Sequence, residues 1–213
     1  MQTQSSSPSL TQDDAGRAFG ASIGNLFCGF FGLAWIVLGL QAAEKATLPI
    51  LLPLCCFLAM VVAASLYVMR RTYGSLDRSE AHRAMGRRIN RRFGLINVVQ
   101  WSLIFAAVDG LPHLKLGNWI VPAIILIVGI HFFPLGRLFK APTHYILGSV
   151  MVAWAIVYPI LFSAGKGDPI GAVGTGAILW ASVVFTGWQS FRRLRRMRIA
   201  GTFGHAKPDG AHA

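Results

Sequence analysis

Six long stretches without a charged residue constrain the fold of this chain more than any other feature of its sequence. They occupy residues 18–43, 46–69, 93–108, 116–136, 141–165 and 169–191. A helix needs about 20 apolar residues, with a range of about 17–25, to cross the hydrocarbon core of a bilayer. Five stretches are long enough alone. The third holds 16 residues, and it reaches the required length if Arg91 and Arg92 extend their side chains to the membrane surface.

The secondary structure of these stretches follows from the absence of water in the bilayer. Backbone polar groups in lipid must be paired within the segment, so the stretches are predicted to be helices. The alternating pattern of a membrane β-barrel strand is absent from them. We therefore predict an all-α polytopic membrane protein with six transmembrane helices in three hairpins. The predicted spans are 19–40, 47–70, 93–110, 117–134, 143–164 and 170–190.

Polar segments flank the predicted transmembrane domain, which occupies residues 17–198. Residues 1–16 are rich in Ser, Gln and Thr, and residues 199–213 are equally poor in apolar periodicity. Both segments are expected to be disordered cytoplasmic tails. The first apolar stretch is longer than the roughly 7–15 residues of a signal-peptide core, so we expect it to be retained as a span.

The distribution of charge indicates how the chain is threaded. Charged residues make up only 13% of the chain, yet its net charge is +12. With six spans, the two termini and the second and fourth connections share one side, and 17 of the 20 Lys and Arg residues fall there. Lys and Arg collect in cytoplasmic loops. Both termini are therefore predicted to be cytoplasmic.

Two basic segments, RRTYGSLDRSEAHRAMGRRINRRF (70–93) and FRRLRRMR (191–198), carry most of these cations. We predict that their arginines contact lipid headgroups, with anionic lipid as the partner. The predicted contact residues are Arg87, Arg88, Arg91, Arg92, Arg192, Arg193, Arg195 and Arg196. Docking of nucleic acid or of an acidic protein is the alternative. Nucleic acid is disfavoured because no base-reading motif or interleaved aromatic residue accompanies the arginines.

The connection between spans two and three contains helix boundary signals. Gly74 is predicted to end span two in the left-handed geometry that glycine tolerates. Asp77 and Glu80 have the spacing of a capping box. A helix that starts there is expected to run through Arg92 into span three, as a basic stem.

Few polar side chains lie inside the spans, and each is a candidate for function because polar groups are costly in lipid. Asn25 lies in span one, and Asn97, Gln100 and Trp101 lie early in span three. The last three share a helix face that we expect to point into the bundle. Interhelical hydrogen bonds and a substrate pathway are both open interpretations.

Small residues predict close helix contacts. Gly20 and Gly24 form a G-x-x-x-G pair, and Cys28 continues the same face. Gly171, Gly174 and Gly176 are expected to have the same role in span six.

The segment HFFPLGRLFKAPTHYILG, residues 131–148, connects spans four and five. Pro134 is predicted to stop or kink span four, and Pro142 to begin span five. His131 and His144 would then lie near the inner boundary of the membrane. Two imidazoles can bind a metal or relay protons, but no third ligand can be named, so no metal site and no cofactor are predicted.

In this segment the sequence resembles a family of small uncharacterised bacterial multispan inner-membrane proteins. The resemblance is carried by His-Phe-Phe-Pro-Leu, the following Leu-Phe and the Tyr–Gly pair, and covers about 20 residues. It implies a bacterial inner membrane and draws attention to His131, Phe132, Pro134 and Leu135. It implies no activity.

Two functional hypotheses remain from the residues. The H-E-x-x-H and P-loop signatures are absent, and no soluble domain is available to hold a cofactor. The first hypothesis is a non-enzymatic integral membrane protein, either a small permease or an accessory subunit, with a homo-oligomer or a membrane partner possible. The second is a membrane-embedded enzyme or metal-binding protein that uses His131 and His144 near the cytoplasmic face.

Overall fold

The computed structural model describes the backbone of residues 8–74, 80–162 and 168–203, and the side chains of 15–74, 86–162 and 168–195. This part of the chain confirms the all-α polytopic fold, with six helices long and apolar enough to cross a membrane. The helices are α1 (Pro8–Ala42), α2 (Leu48–Tyr73), α3 (Glu80–His113), α4 (Ile120–Phe139), α5 (Pro142–Phe162) and α6 (Pro169–Phe203). One turn of 3-10 helix, Gly117–Trp119, precedes α4.

Several helices extend beyond the predicted spans. Helix α1 begins at Pro8 and α6 continues to Phe203, so parts of both expected tails are helical, while residues 1–7 and 204–213 lie outside the described residues. Helix α3 runs without a break from Glu80 to His113, which confirms the continuous basic stem, while Asp77 of the predicted capping box lies outside the described residues. Gly74 follows α2 but has a φ of −69°, and its N–H bonds to Thr72 O. The predicted left-handed cap is therefore wrong, because the chain leaves α2 in right-handed geometry.

The helices pack as a row in the order α2, α1, α6, α5, α4, α3. Each helix contacts its neighbours in this row, and α6 also contacts α2 and α4. No contact joins α2 to α3 in the described ranges, although these two helices are consecutive in the chain. The row therefore has two edge helices, each of which packs along little of its surface.

The seam between α1 and α6 is built from small residues. Buried positions along α1 recur at alternating spacings of three and four, the heptad pattern of closely packed helices. They are Ala15, Ala18, Ser22, Asn25, Gly29, Gly32, Ile36 and Gly39. A Cβ atom added at Gly176 would lie 2.5 Å from the carbonyl oxygen of Gly32. Only glycine therefore lets the two backbones approach this closely.

The two predicted glycine clusters have different outcomes. An added Cβ would meet nothing within 4 Å at Gly20 or Gly24, so the predicted G-x-x-x-G contact is wrong. These positions turn away from the heptad face that packs against α6. The prediction for α6 is confirmed: Gly171 contacts Tyr158, Gly174 contacts Trp154, and Gly176 contacts α1.

Helices α4 and α5 form an antiparallel hairpin that positions both candidate histidines. A Cβ added at Gly129 would lie 3.0 Å from Val152 N. A Cβ added at Gly148 would lie 2.8 Å from Gly129 O. Pro142 begins α5, as predicted. Pro134 does not stop α4, which continues to Phe139 and ends where Lys140 adopts a left-handed φ of 49°. Membrane helices tolerate an internal proline where neighbouring groups satisfy the freed backbone, and here α5 packs along the same turn.

Candidate functional site

Asn25 forms a hydrogen bond that joins α1 to α6. Its side chain is 7% exposed, and its Oδ1 accepts a hydrogen bond from the hydroxyl of Thr186. The bond crosses the seam between α1 and α6, the most extensive contact between any two helices in the described ranges. Asn25 therefore has the interhelical role that was one of its two predicted interpretations.

The polar residues of α3 are separated from Asn25, because no contact joins α1 to α3 in the part of the chain that the structure describes. Asn97 donates a hydrogen bond to Phe93 O in its own helix, at 2.8 Å. Gln100 is half-buried, and no described residue pairs with its amide. Asn25, Asn97 and Gln100 thus belong to different regions of the bundle.

Trp101 lies on the outer surface of α3 rather than inside the bundle. Its side chain is 44% exposed and its ring lies 6.0 Å from the ring of Phe105. The expectation that it shares an inward face with Asn97 and Gln100 is wrong. Successive helical positions differ by about 100°, and α3 is covered by α4 on one side only.

Sequence reasoning set aside a G-x-S-x-G hydrolase elbow, although the segment GASIG, residues 20–24, has this spacing around Ser22. The spacing is that of the G-x-S-x-G elbow of hydrolases, whose serine is exposed on a strand-to-helix turn. Here Ser22 lies within α1, is 1% exposed, and donates a hydrogen bond to Ala18 O at 2.9 Å. The segment therefore lacks the exposed strand-to-helix turn of that elbow.

His131 and His144 lie on the α4–α5 hairpin, one on each helix. Both imidazoles lie beside Phe132, whose ring centroid is 6.0 Å from each of them. The Nδ1 atom of each histidine is buried without a hydrogen-bond partner among the described residues. Because α4 continues to Phe139, His131 lies about 12 Å before the end of the helix. Pro134 is exposed beside this pair.

The ligand set around the histidine pair is incomplete. Within the described ranges, no cluster of three or more His, Cys, Asp and Glu residues could hold a metal ion. Two imidazoles supply half of the four ligands that zinc takes in a tetrahedral site. A metal bound here would need water or residues outside the described ranges to complete its coordination.

The predicted headgroup arginines lie at the ends of α3 and α6. Arg87, Arg88, Arg91, Arg92, Arg192 and Arg195 are exposed, Arg193 is half-buried, and the Arg196 side chain is outside the described residues. Two guanidinium groups lie over aromatic rings: Arg192 is 4.8 Å from the centroid of Trp188, and Arg71 is 5.5 Å from that of Tyr67. Aromatic partners therefore distinguish the α2–α6 arginines from those of α3.

A buried polar pair at the other side of the bundle was missed by sequence reasoning. Asp168 is 5% exposed, and its Oδ1 accepts the Gly171 N–H at 3.1 Å, which caps α6. Its Oδ2 and the hydroxyl of the fully buried Tyr158 have no hydrogen-bond partner among the described residues. An Asp directly before Pro169 is a recognisable helix start. Nothing in the sequence signals that Tyr158 packs against it.

The comparisons with known proteins add no relative to this picture. No protein-family model, curated protein or solved structure matches the chain. What the protein does therefore has to be inferred from its own contacts. The features available are the separated polar residues, the histidine pair, the aromatic-backed arginines and the two edge helices.

Proposed function

We propose that the protein is a non-enzymatic accessory subunit of a membrane complex, and that α3 is the helix that binds the partner chain. The observation that carries the proposal is the contrast between the two edge helices. Both are largely uncovered, with 11% of the apolar window of α2 and 6% of that of α3 buried. Their mean hydropathies, however, are 2.4 for α2 and 1.5 for α3. Helix α3 is therefore both the less apolar and the less buried of the two edge helices.

The polar groups of α3 explain the contrast. Ile104 is the sole buried residue among the described side chains of this helix. Gln100 is half-buried without a described partner, and Ser102 is exposed. Lipid offers no hydrogen bonds to such groups, whereas side chains and backbone of a second transmembrane helix do. A partner helix on α3 would satisfy them.

A small permease, the other non-enzymatic hypothesis, has less support from the contacts. The candidate lining residues Asn25 and Asn97 are in helices that do not touch in the described ranges, and both are hydrogen-bonded. A substrate pathway needs polar groups that converge on one route. Asn25 instead joins α1 to α6, and Asn97 bonds to the backbone of its own helix.

We expect a thiol on α3, but not one on α2, to cross-link to a different membrane protein. Val98 is 62% exposed on α3, and the native Cys55 is exposed on α2. Val98→Cys would be made with the three native cysteines replaced, and a variant that retains Cys55 alone is the matched control. A benzophenone maleimide attached to the thiol and irradiated in native membranes, where it inserts into C–H bonds of a neighbouring chain, is expected to give one discrete adduct from the α3 position.

The mass of the adduct decides the outcome. An adduct larger than one chain but different from two copies supports the accessory-subunit proposal. A product of two copies alone would replace it with self-assembly. No adduct from α3, or an equal yield from the α2 thiol, would contradict the role of α3.

We also propose that the protein lies in a bacterial inner membrane with both termini in the cytoplasm. The arginines at the ends of α2, α3 and α6 support this orientation, because cations gather on the cytoplasmic side of short loops. The resemblance of the His131–Leu135 segment to bacterial multispan proteins supports the membrane.

A metal-binding role, as a membrane-embedded enzyme or a metal carrier, is a second candidate, favoured by the two buried Nδ1 atoms without partners. Buried polar atoms of this kind commonly bind an ion or water that completes their hydrogen bonds or coordination. If this candidate holds, the purified protein equilibrated with Zn²⁺ and then desalted retains metal, and His131→Ala or His144→Ala loses most of it.

His113 provides the matched control for the metal measurement, because its side chain is 80% exposed and lies 4.0 Å from Asp109. His113→Ala is expected to retain as much zinc as the unmodified protein in elemental analysis. Equal zinc content in all variants would rule out the histidine pair as a metal site.

A further inference from the structure

One face of α6 changes character along the helix. On one half, Gly171 and Gly174 admit Tyr158 and Trp154 of α5. Phe185 and Arg192 follow Gly171 by two and three heptads. Trp188 follows Gly174 by two heptads. The same face therefore carries glycines where α5 covers it, and Phe185, Trp188 and Arg192 further along.

The arginine-rich half of this face is open. Phe185 is 46% exposed, Trp188 is 55% exposed, and Arg192 is exposed. Together with two polar neighbours they line a groove of about 230 Å³. The lining residues are Phe185, Trp188, Gln189, Arg192 and Arg193. The groove runs from apolar side chains within the span to guanidinium groups at its end.

The charge of the groove is unbalanced. Arg192 lies over the Trp188 ring, and no carboxylate among the described residues pairs with Arg192 or Arg193. A guanidinium held over an indole keeps its N–H groups free at its edges for an anion. The neighbouring surface is also ordered by rings, since Phe191 stacks on Tyr67 of α2 at 6.4 Å and Arg71 lies over Tyr67.

We propose that this groove is a binding site for one anionic phospholipid. An acyl chain lies against Phe185 and Trp188, and the phosphate accepts hydrogen bonds from Arg192 and Arg193, with Gln189 beside the glycerol region. The pattern fits an amphipathic ligand because the apolar and cationic ends of the groove follow one another along the membrane normal. A soluble anion would leave the aromatic half unused, and a lipid without net charge would leave the cations unbalanced.

The arginines of α3 provide a contrasting site on the same molecule. Arg87 and Arg88 are exposed on α3, and no described aromatic ring lies under either of them. They can attract an anionic surface as a group. They lack the stacked guanidinium that would hold the headgroup of a single lipid after extraction from the membrane. A specific site and a diffuse basic surface can therefore be separated by experiment.

Native mass spectrometry of the full chain in mild detergent tests the proposal, with phosphatidylglycerol or phosphatidylcholine added. We expect one bound phosphatidylglycerol and much weaker retention of phosphatidylcholine. Arg192→Gln is expected to reduce bound phosphatidylglycerol about fivefold, since one basic contact near a membrane surface contributes about 1 kcal/mol. Arg192→Lys keeps the charge but loses the stacked guanidinium and should give an intermediate reduction. Arg88→Gln, the matched control, should change binding less than about twofold, because its contribution is diffuse.

Three results would overturn the proposal. They are equal retention of the two lipids, unchanged binding by Arg192→Gln, and an equal loss from Arg88→Gln. Both arginines are exposed, so the variants should elute from a sizing column like the unmodified protein. Because α3 is not part of the groove, failure here leaves the accessory-subunit proposal untouched, and failure of the α3 cross-link leaves the lipid site untouched.

Discussion

A single methyl group added at Gly176 is expected to lower the free energy of unfolding by about 1–3 kcal/mol, the usual range for overpacking. The added Cβ of Gly176→Ala would lie 2.5 Å from Gly32 O and 3.0 Å from Ile36 N. Both neighbours are backbone atoms of α1, so no side-chain rotation can relieve the contact. The helices must separate along the seam that holds the most extensive interface of the bundle.

The matched control is Gly24→Ala in α1, where an added Cβ meets nothing within 4 Å. Alanine stabilises a helix over glycine by up to about 1 kcal/mol, so this variant should be neutral or slightly more stable. The thermal unfolding midpoint in detergent measures both. A reversed order, with Gly24→Ala the more damaging, would mean that the predicted G-x-x-x-G face and not the Gly176 seam holds the fold.

Truncation of Tyr158 is expected to have the largest effect of any single change in α5. Its side chain is fully buried and stacks on Trp154 at a centroid distance of 5.2 Å. Removal of a buried aromatic ring typically costs about 3–5 kcal/mol because the surroundings close the cavity only in part. Tyr158→Ala should therefore give little folded protein, assessed by sizing-column profile and thermal unfolding.

Two companion variants isolate the cause. Ile160→Ala changes a side chain on the same helix that is 74% exposed, and it should leave the unfolding midpoint nearly unchanged. Tyr158→Phe removes only a hydroxyl that has no described hydrogen-bond partner, so we expect a small effect. A large loss in Tyr158→Phe would show that the hydroxyl and Asp168 interact and that the ring is not the main contribution.

The sequence predicts the spans well because their lengths are set by the bilayer and their ends by charges. Each of the six charge-free stretches lies within a helix or overlaps one, and α3 carries the basic stem into the third span without a break as expected. Such features depend on residues close together in the chain. Helix ends past the charges, such as Pro8 and Phe203, are not marked by any apolar boundary and were missed.

Features that depend on the neighbours of a helix could not be predicted in the same way. The sequence of α1 contains two glycine pairs, Gly20 with Gly24 and Gly32 with Gly39. Only the second pair lies against α6, and this depends on how the two helices pack. The sequence groups Trp101 with Asn97 and Gln100 on a face predicted to point into the bundle. In the structure α3 contacts a neighbouring helix on one side only. Pro134 lacks an N–H, yet α4 continues through it to Phe139.

The candidate sites also differ in whether they depend on residues close together in the chain or on the packing of neighbouring helices. His131 and His144 are on either side of a short connection, so their proximity follows from the hairpin. The pair formed by Tyr158 and Asp168 also spans a short connection, but a tyrosine in an apolar helix gives no sign of its direction. The aromatic support of Arg192 was visible at helical spacing from Trp188, whereas the stacking of Phe191 on Tyr67 joins helices far apart in the sequence.

The order of the helices has a mechanical consequence. Six helices in a straight row, with about 8–10 Å between neighbouring axes, would place α2 and α3 about 40–50 Å apart. Gly74 and Glu80 are six residues apart, which allows about 22 Å at full extension. The row must therefore bend into a horseshoe whose two arms are tethered, with α6, which touches four helices, on the inner side of the curve. The tether keeps one end of the two edge helices within that reach of each other, although the helices do not touch in the described ranges.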